Sequence, residues 1–123
     1  MESLNFLEKN QDNPFALWVS FPDPHEPYEV PKKYFNEVKG TFEFPKLRSD
    51  EFSDGTAPER NVLLNKILNM NNASIEEKQN LITVYMAMVK FVDDSIGTIL
   101  DKLEDLNLKR KTIIVFTADH GDF

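Results

Sequence analysis

The 123-residue sequence contains no cysteine. This absence excludes a disulfide framework, a thiolate zinc site and a cysteine nucleophile within the chain. Any metal bound here would use oxygen and imidazole ligands. The chain has only two histidines, so the imidazole candidates are His25 and His120.

The sequence also lacks long hydrophobic runs and an excess of positive charge. Its apolar runs, among them residues 15–19 and 113–116, are far shorter than the ~20 residues of a bilayer-spanning helix. Lys and Arg number 14 against 21 Asp and Glu, which gives a net charge of −7. Nucleic acids and anionic membranes are bound through clustered positive charge, so we expect neither as a partner. We also expect no transmembrane segment and no retained signal peptide, and the compartment stays undetermined.

Glycine is scarce and proline is unevenly distributed. All seven prolines lie within residues 1–58, whereas residues 59–106 contain no proline and one glycine. The pattern predicts strand and loop in the first half and mostly helix in the second. No repeat or Gly/Ser linker divides the sequence, so we expect residues 1–123 to form one incomplete domain.

Two short segments are apolar on both faces. Residues 15–21 are rich in aromatic side chains, and residues 112–117 are rich in β-branched ones. Such runs are typical of strands covered from both sides in a parallel sheet. Residues 23–58 resemble a loop, and their length predicts that they pack against a larger body or shape a site.

Three helices are expected from the spacing of apolar residues. Residues 1–9 resemble the last turns of a helix, and residues 59–70 resemble a short amphipathic helix. Ser74 and Glu77 fit a capping box that starts a longer helix. Its apolar stripe steps by three and four residues: Leu81, Tyr85, Met88, Val92, Ile96, Ile99, Leu103 and Leu106. Asn107 fits a left-handed cap at its end.

A strand, a helical crossover and a second strand together predict a βαβ unit with parallel strands. Each predicted strand is followed by a polar cluster, Pro-His-Glu-Pro at residues 24–27 and Asp-His-Gly-Asp at residues 119–122. Ligands of open α/β sheets bind at the carboxyl ends of the strands. The order of elements therefore predicts that His25, Asp119 and His120 lie on the side where a site would form.

In this order, the motifs resemble the middle of a type I sulfatase of the alkaline phosphatase superfamily. The similarity is carried by residues 14–28 with Pro31, by Tyr85 with residues 92–97 and 103–104, and by residues 112–122. It covers nearly the whole chain apart from residues 36–73. The resemblance implies a βαβ segment of an alkaline phosphatase-like α/β/α sandwich with a mostly parallel sheet.

The resemblance also implies roles for three residues. Asp119 and His120 match ligands of a divalent metal, usually Ca²⁺, although spacing alone favours a strand-end turn in which Asp119 caps a following helix. His25 matches the histidine that contacts the transferred sulfate or donates a proton to the leaving oxygen. Many sulfatases have Asn where this chain has His120, and His also occurs in phosphodiester and phosphonate hydrolases. Mn²⁺, Mg²⁺ and Zn²⁺ are therefore alternatives.

The family's nucleophile motif, Cys/Ser-x-Pro-x-Arg, is absent from the sequence. The resemblance therefore implies that formylglycine belongs to a missing N-terminal part and that the chain alone is inactive. Three interpretations stay open: a fragment of a sulfate-ester hydrolase, a phosphodiester or phosphonate monoester hydrolase of the same superfamily, and a non-catalytic scaffold or binding chain. We also expect the isolated segment to self-associate, because lone strands would leave apolar surface and edges exposed.

Overall fold

The computed structural model describes residues 1–44, 46, 50 and 52–121. These residues form four α-helices: α1 (Glu2–Asn10), α2 (Lys32–Val38), α3 (Glu59–Ile67) and α4 (Ile75–Asp105). Two 3₁₀ turns, Met70–Asn72 and Lys109–Lys111, flank α4. The chain divides into a first unit, Met1–Pro22 with Val92–Phe123, and a second unit, Asp23–Phe91. None of the described helices combines the length and apolar character needed to cross a membrane.

Residues 15–21 and 112–117 are extended but are not strands. Within the described part of the chain, neither segment exchanges backbone hydrogen bonds with another. A β-strand satisfies its N–H and C=O groups through a neighbouring strand, and neither segment has such a neighbour there. The predicted βαβ segment of an α/β/α sandwich with a mostly parallel sheet is therefore wrong. The described residues contain helices, turns and extended chain but no β-strand.

Helix α4 begins with the predicted capping box, which is confirmed. The Ser74 backbone N–H donates to Glu77 Oε2 at 2.7 Å, and the Glu77 N–H donates to Ser74 Oγ at 3.1 Å. Each residue thus satisfies a backbone donor that has no partner within the helix. Glu77 Oε2 accepts from the Ser74 backbone N–H and also from the Ser74 hydroxyl, and these two hydrogen bonds hold the pKa of the Glu77 carboxyl below its ordinary value.

The other end of α4 forms a Schellman motif. Asn107 is left-handed, with φ of 56°, as predicted. Its N–H donates to the Glu104 carbonyl, and the Leu108 N–H donates to the Leu103 carbonyl, both at 2.8 Å. Lys109 forms an ion pair with Glu104 at 2.9 Å, which raises the pKa of its ammonium group. The cap turns the chain so that Leu108 and Leu103 are both buried.

The core of the first unit lies between α1 and the C-terminal part of α4. Leu7 and Leu103 are 1% and 5% exposed, and they form a buried cluster with Leu108. Phe15 packs at the edge of this cluster. Lys102 bonds Glu8 across the same pair of helices and lowers the pKa of the Glu8 carboxyl, first by the hydrogen bond and then by its charge.

The second unit contains a helix that the loop prediction for residues 23–58 missed. Helix α2 follows Pro31 directly, and its Tyr34 ring meets Phe91 edge to face with centroids 5.2 Å apart. Seven residues are fewer than an isolated helix needs to be stable in water, so tertiary contacts such as this one stabilise the helix.

Helix α3 confirms the helix predicted within residues 59–70. The side chains that it buries, however, are not the apolar ones that an amphipathic helix would bury. Its buried residue is Asn65, whose Nδ2 donates to Asn71 Oδ1 at 2.9 Å. Leu63 and Ile67 are more than half exposed. The buried interior of the second unit instead includes Ala87 and Met88 of α4.

Candidate functional site

His25 lies in an exposed turn of the second unit, between Pro24 and Glu26. The peptide bonds Asp23–Pro24 and Glu26–Pro27 are both cis. The ring Nδ1 of His25 lies 2.7 Å from the carbonyl oxygen of Glu26. A carbonyl oxygen only accepts, so Nδ1 carries the proton in this contact. The other nitrogen, Nε2, is then the atom of the neutral ring that can accept a proton, or donate one when the ring is charged.

Asp119 and His120 lie together near the end of the described chain, in the first unit. Their side chains are 86% and 76% exposed. The His120 backbone N–H donates to Asp119 Oδ1 at 2.9 Å, and Asp119 Oδ2 lies 3.6 Å from His120 Nε2. His120 Nδ1 contacts the Gly121 carbonyl at 2.9 Å, which makes Nδ1 the donor. The carboxylate oxygen and the imidazole Nε2 therefore lie side by side.

This donor set matches part of a metal site. One carboxylate and one imidazole, oriented by hydrogen bonds to its other nitrogen, are common ligands of divalent ions. Among the residues that the structure describes, no three His, Cys, Asp or Glu side chains are grouped to hold an ion. Asp122, the last acidic residue of the predicted cluster, lies outside those residues. A Ca²⁺ ion takes roughly six to eight oxygen ligands, so Asp119 and His120 would supply a minority of the shell.

The structure brings two of the three predicted site residues together, namely Asp119 and His120. His25 belongs to the other unit. The reason given for expecting all three on one side, a shared edge of parallel strands, does not hold because the described residues contain no sheet.

An open groove formed by residues 28–35 and Val84 was not predicted residue by residue. It has a volume of about 370 Å³ and lies within the second unit. Its lining residues are Tyr28, Glu29, Val30, Lys32, Phe35 and Val84. The feature of the sequence that could have indicated this groove was the mixture of aromatic and charged residues directly after residues 24–27. The sequence indicated only that residues 23–58 could shape a site, and Val84 comes from a distant part of the sequence.

The Sulfatase family profile matches residues 1–122. A sulfatase from Formosa agariphila is 32% identical over 123 residues, covering 96% of this chain and 24% of the relative. Human iduronate 2-sulfatase is 28% identical over 134 residues, covering 98% of this chain and 24% of the relative.

An arylsulfatase from Clostridium perfringens is 29% identical over 122 residues, covering 98% of this chain and 25% of the relative. The chain thus spans about a quarter of the length of these curated relatives. No solved structure matches it. Because the family profile covers residues 1–122, the chain belongs to the sulfatase family.

Proposed function

We propose that this chain forms part of a sulfuric-ester hydrolase that cleaves sulfate esters. The observation that carries the proposal is the match of residues 1–122 to the Sulfatase family. His25, Asp119 and His120 all lie within the matched range. The names of the relatives agree with this reaction class. The whole enzyme would add a formylglycine nucleophile from residues outside this chain.

In this proposal Asp119 and His120 bind a divalent metal, with Ca²⁺ as the first candidate and Mn²⁺, Mg²⁺ and Zn²⁺ as alternatives. When bound, such an ion stabilises negative charge on the sulfate oxygens. The hydrogen bond from the His120 N–H holds Asp119 Oδ1, and the Gly121 carbonyl orients the His120 ring. Both contacts restrict the two side chains before an ion binds, so the side chains would lose less conformational entropy on binding it.

His25 would contact the sulfate group or donate a proton to the departing oxygen. The contact with the Glu26 carbonyl keeps the proton on Nδ1 and leaves Nε2 to exchange a proton with the substrate. An imidazole suits this task because its ordinary pKa lies near neutrality. The chain alone should be inactive, because it contains neither cysteine nor a Ser-x-Pro-x-Arg sequence for the nucleophile.

The test uses the protein in its full encoded length. Asp119→Ala removes an anionic ligand and should abolish metal binding and sulfate-ester hydrolysis together. His25→Ala should keep the metal and lower turnover by roughly 10²–10⁴-fold, as expected for a proton-transfer group. Metal content by mass spectrometry and 4-nitrophenyl sulfate hydrolysis measure the two effects separately.

Asp12→Ala serves as the matched control, because Asp12 is an exposed carboxylate outside the predicted site. An Asp119→Ala protein that keeps both metal and rate would refute the metal assignment. Faster hydrolysis of bis(4-nitrophenyl) phosphate than of the sulfate ester would instead favour the phosphodiesterase alternative. A full-length protein that hydrolyses neither ester would favour a non-catalytic binding chain.

A further inference from the structure

The single Asp-Gly pair of the chain, Asp54 and Gly55, lies in an exposed turn that precedes α3. The Asp54 backbone N–H donates to the Asp50 carbonyl at 2.9 Å. Asp54 Oδ1 accepts from the Thr56 backbone N–H at 2.9 Å and from the Thr56 hydroxyl at 2.6 Å. The ring closed by the backbone contact includes the Gly55 nitrogen. The Asp54 carboxyl is therefore folded over the Gly55 peptide group.

The surroundings of Gly55 leave its backbone nitrogen accessible. Gly55 has a φ of 81°, a left-handed conformation that glycine adopts without strain. A Cβ atom placed on Gly55 would have no neighbour within 4 Å. Among the backbone hydrogen bonds of the described residues, none uses the Gly55 N–H as donor. The nitrogen thus lies beside an exposed carboxyl group with no side chain of its own to shield it.

We propose that Asp54 converts spontaneously to isoaspartate in the folded protein. The Gly55 nitrogen forms a bond to Asp54 Cγ, and its proton leaves with the carboxyl hydroxyl as water, which closes a succinimide ring. Water then opens the ring. Cleavage of the bond from nitrogen to Cγ restores aspartate, and cleavage of the bond to the main-chain carbonyl carbon gives isoaspartate.

This conversion consumes one water and releases one, so it needs no oxidant or co-reactant. The attack is intramolecular, and the turn holds the reacting groups in one short segment. In isoaspartate the main chain runs through Cβ and Cγ, so Thr56 loses the Oδ1 acceptor that holds the turn. The modification therefore loosens the segment before α3, and it does not depend on the proposed hydrolase activity.

Several other aspartates lack one of these features. Asp23 precedes a proline, which has no N–H. The aspartates inside α4 precede residues whose N–H groups are bonded within the helix. Asp12 is exposed like Asp54, but the N–H of the next residue, Asn13, donates to the Asn10 carbonyl at 3.0 Å. Asp12 is therefore a matched control within the same protein.

The experiment incubates the full-length protein in mildly acidic buffer, because the protonated carboxyl is the form that loses its hydroxyl as water. Circular dichroism verifies that the protein stays folded. Peptide mapping by chromatography and mass spectrometry separates isoaspartate from aspartate at equal mass. An isoaspartyl methyltransferase with labelled S-adenosylmethionine counts the new carboxyl groups, and a synthetic peptide of residues 50–58 is incubated in parallel.

Isoaspartate should accumulate at residue 54 about tenfold faster than at residue 12, because only Asp54 has an accessible neighbouring nitrogen. A species lacking one water should appear transiently in the same peptide. Asp54→Glu should abolish the product, since glutamate would have to close a larger and less favourable ring. Asp12→Glu should leave the product at residue 54 unchanged.

Conversion of the synthetic peptide without conversion of the folded protein would show that the turn protects Asp54 and would overturn the proposal. Equal accumulation at residues 12 and 54 would also overturn it, since the accessible Gly55 nitrogen would then have no effect. An Asp54→Glu protein that gains as many methyl-accepting groups as the wild type would place the reaction elsewhere.

Discussion

Helix α4 and the two extended segments, residues 15–21 and 112–117, are all apolar in sequence but differ in burial. On α4, Met88 and Leu103 are almost completely buried. In the extended segments, Trp18 is 86% exposed and Ile113 is 93% exposed. Most side chains of the apolar stripe of the helix are buried or half-buried, whereas most apolar side chains of the extended segments, apart from Phe15 and Phe21, are exposed to solvent.

The difference follows from where each element finds its hydrogen bonds. An α-helix pairs each N–H with a carbonyl four residues earlier, so a segment with suitable caps contains its own partners. An extended segment must find its partners on another strand, which can come from anywhere in a structure. A similar apolar composition therefore produces a packed helix in one place and exposed chain in the other.

The largest expected effect compares a core leucine with an exposed tryptophan. Leu7→Ala should lower the free energy of unfolding by about 2–5 kcal/mol, because Leu7 is buried in the cluster with Leu103. Trp18→Ala should change it by less than about 0.5 kcal/mol, because the side chain is mostly exposed. Urea unfolding at low protein concentration measures both. Equal losses would show that residues 15–21 are packed in the folded chain.

A smaller effect concerns self-association through the exposed apolar segments. We expect the 123-residue chain to associate, and Val115→Lys should weaken association about tenfold, equivalent to about 1.4 kcal/mol. Ile67→Lys is the control, since Ile67 is also exposed but lies on α3. Analytical ultracentrifugation of the three proteins provides the measurement. A monomeric chain, or equal effects of both substitutions, would rule out association through residues 112–117.

The smallest effect concerns the capping box of α4. Ser74→Ala should destabilise the helix end by about 1 kcal/mol. Glu77 has a pKa below its ordinary value of 4.5, so its contribution is fully present above that value. The contribution is lost as the pH falls from 4.5 through the lowered pKa. The protection of the amides in the first turn of α4, measured as the exchange rate of an unstructured chain divided by the observed rate at the same pH, should therefore decrease in acid.

Glu77→Gln should remove that pH dependence, whereas Glu76→Gln should keep it. A decrease in amide protection over the same pH range in the Glu77→Gln protein would show that another group causes it.

The sequence was most informative where a motif is local. The Ser74 and Glu77 box and the Asn107 cap depend on residues within a few positions of each other, and both are confirmed. The motifs also singled out His25, Asp119 and His120, whose roles stay predictions. The groove could not be found this way, because Val84 of α4 joins residues 28–35 only through folding.

The sequence by itself determined helix α4, its two caps, and the exclusion of cysteine chemistry. These depend on composition or on hydrogen bonds between near neighbours, which the order of residues specifies. Only the tertiary structure decided that residues 15–21 and 112–117 have no partner strand among the described residues, that α2 forms, and that Val84 joins residues 28–35 in a groove. Each of these depends on contacts between distant residues, whose presence or absence no local pattern specifies.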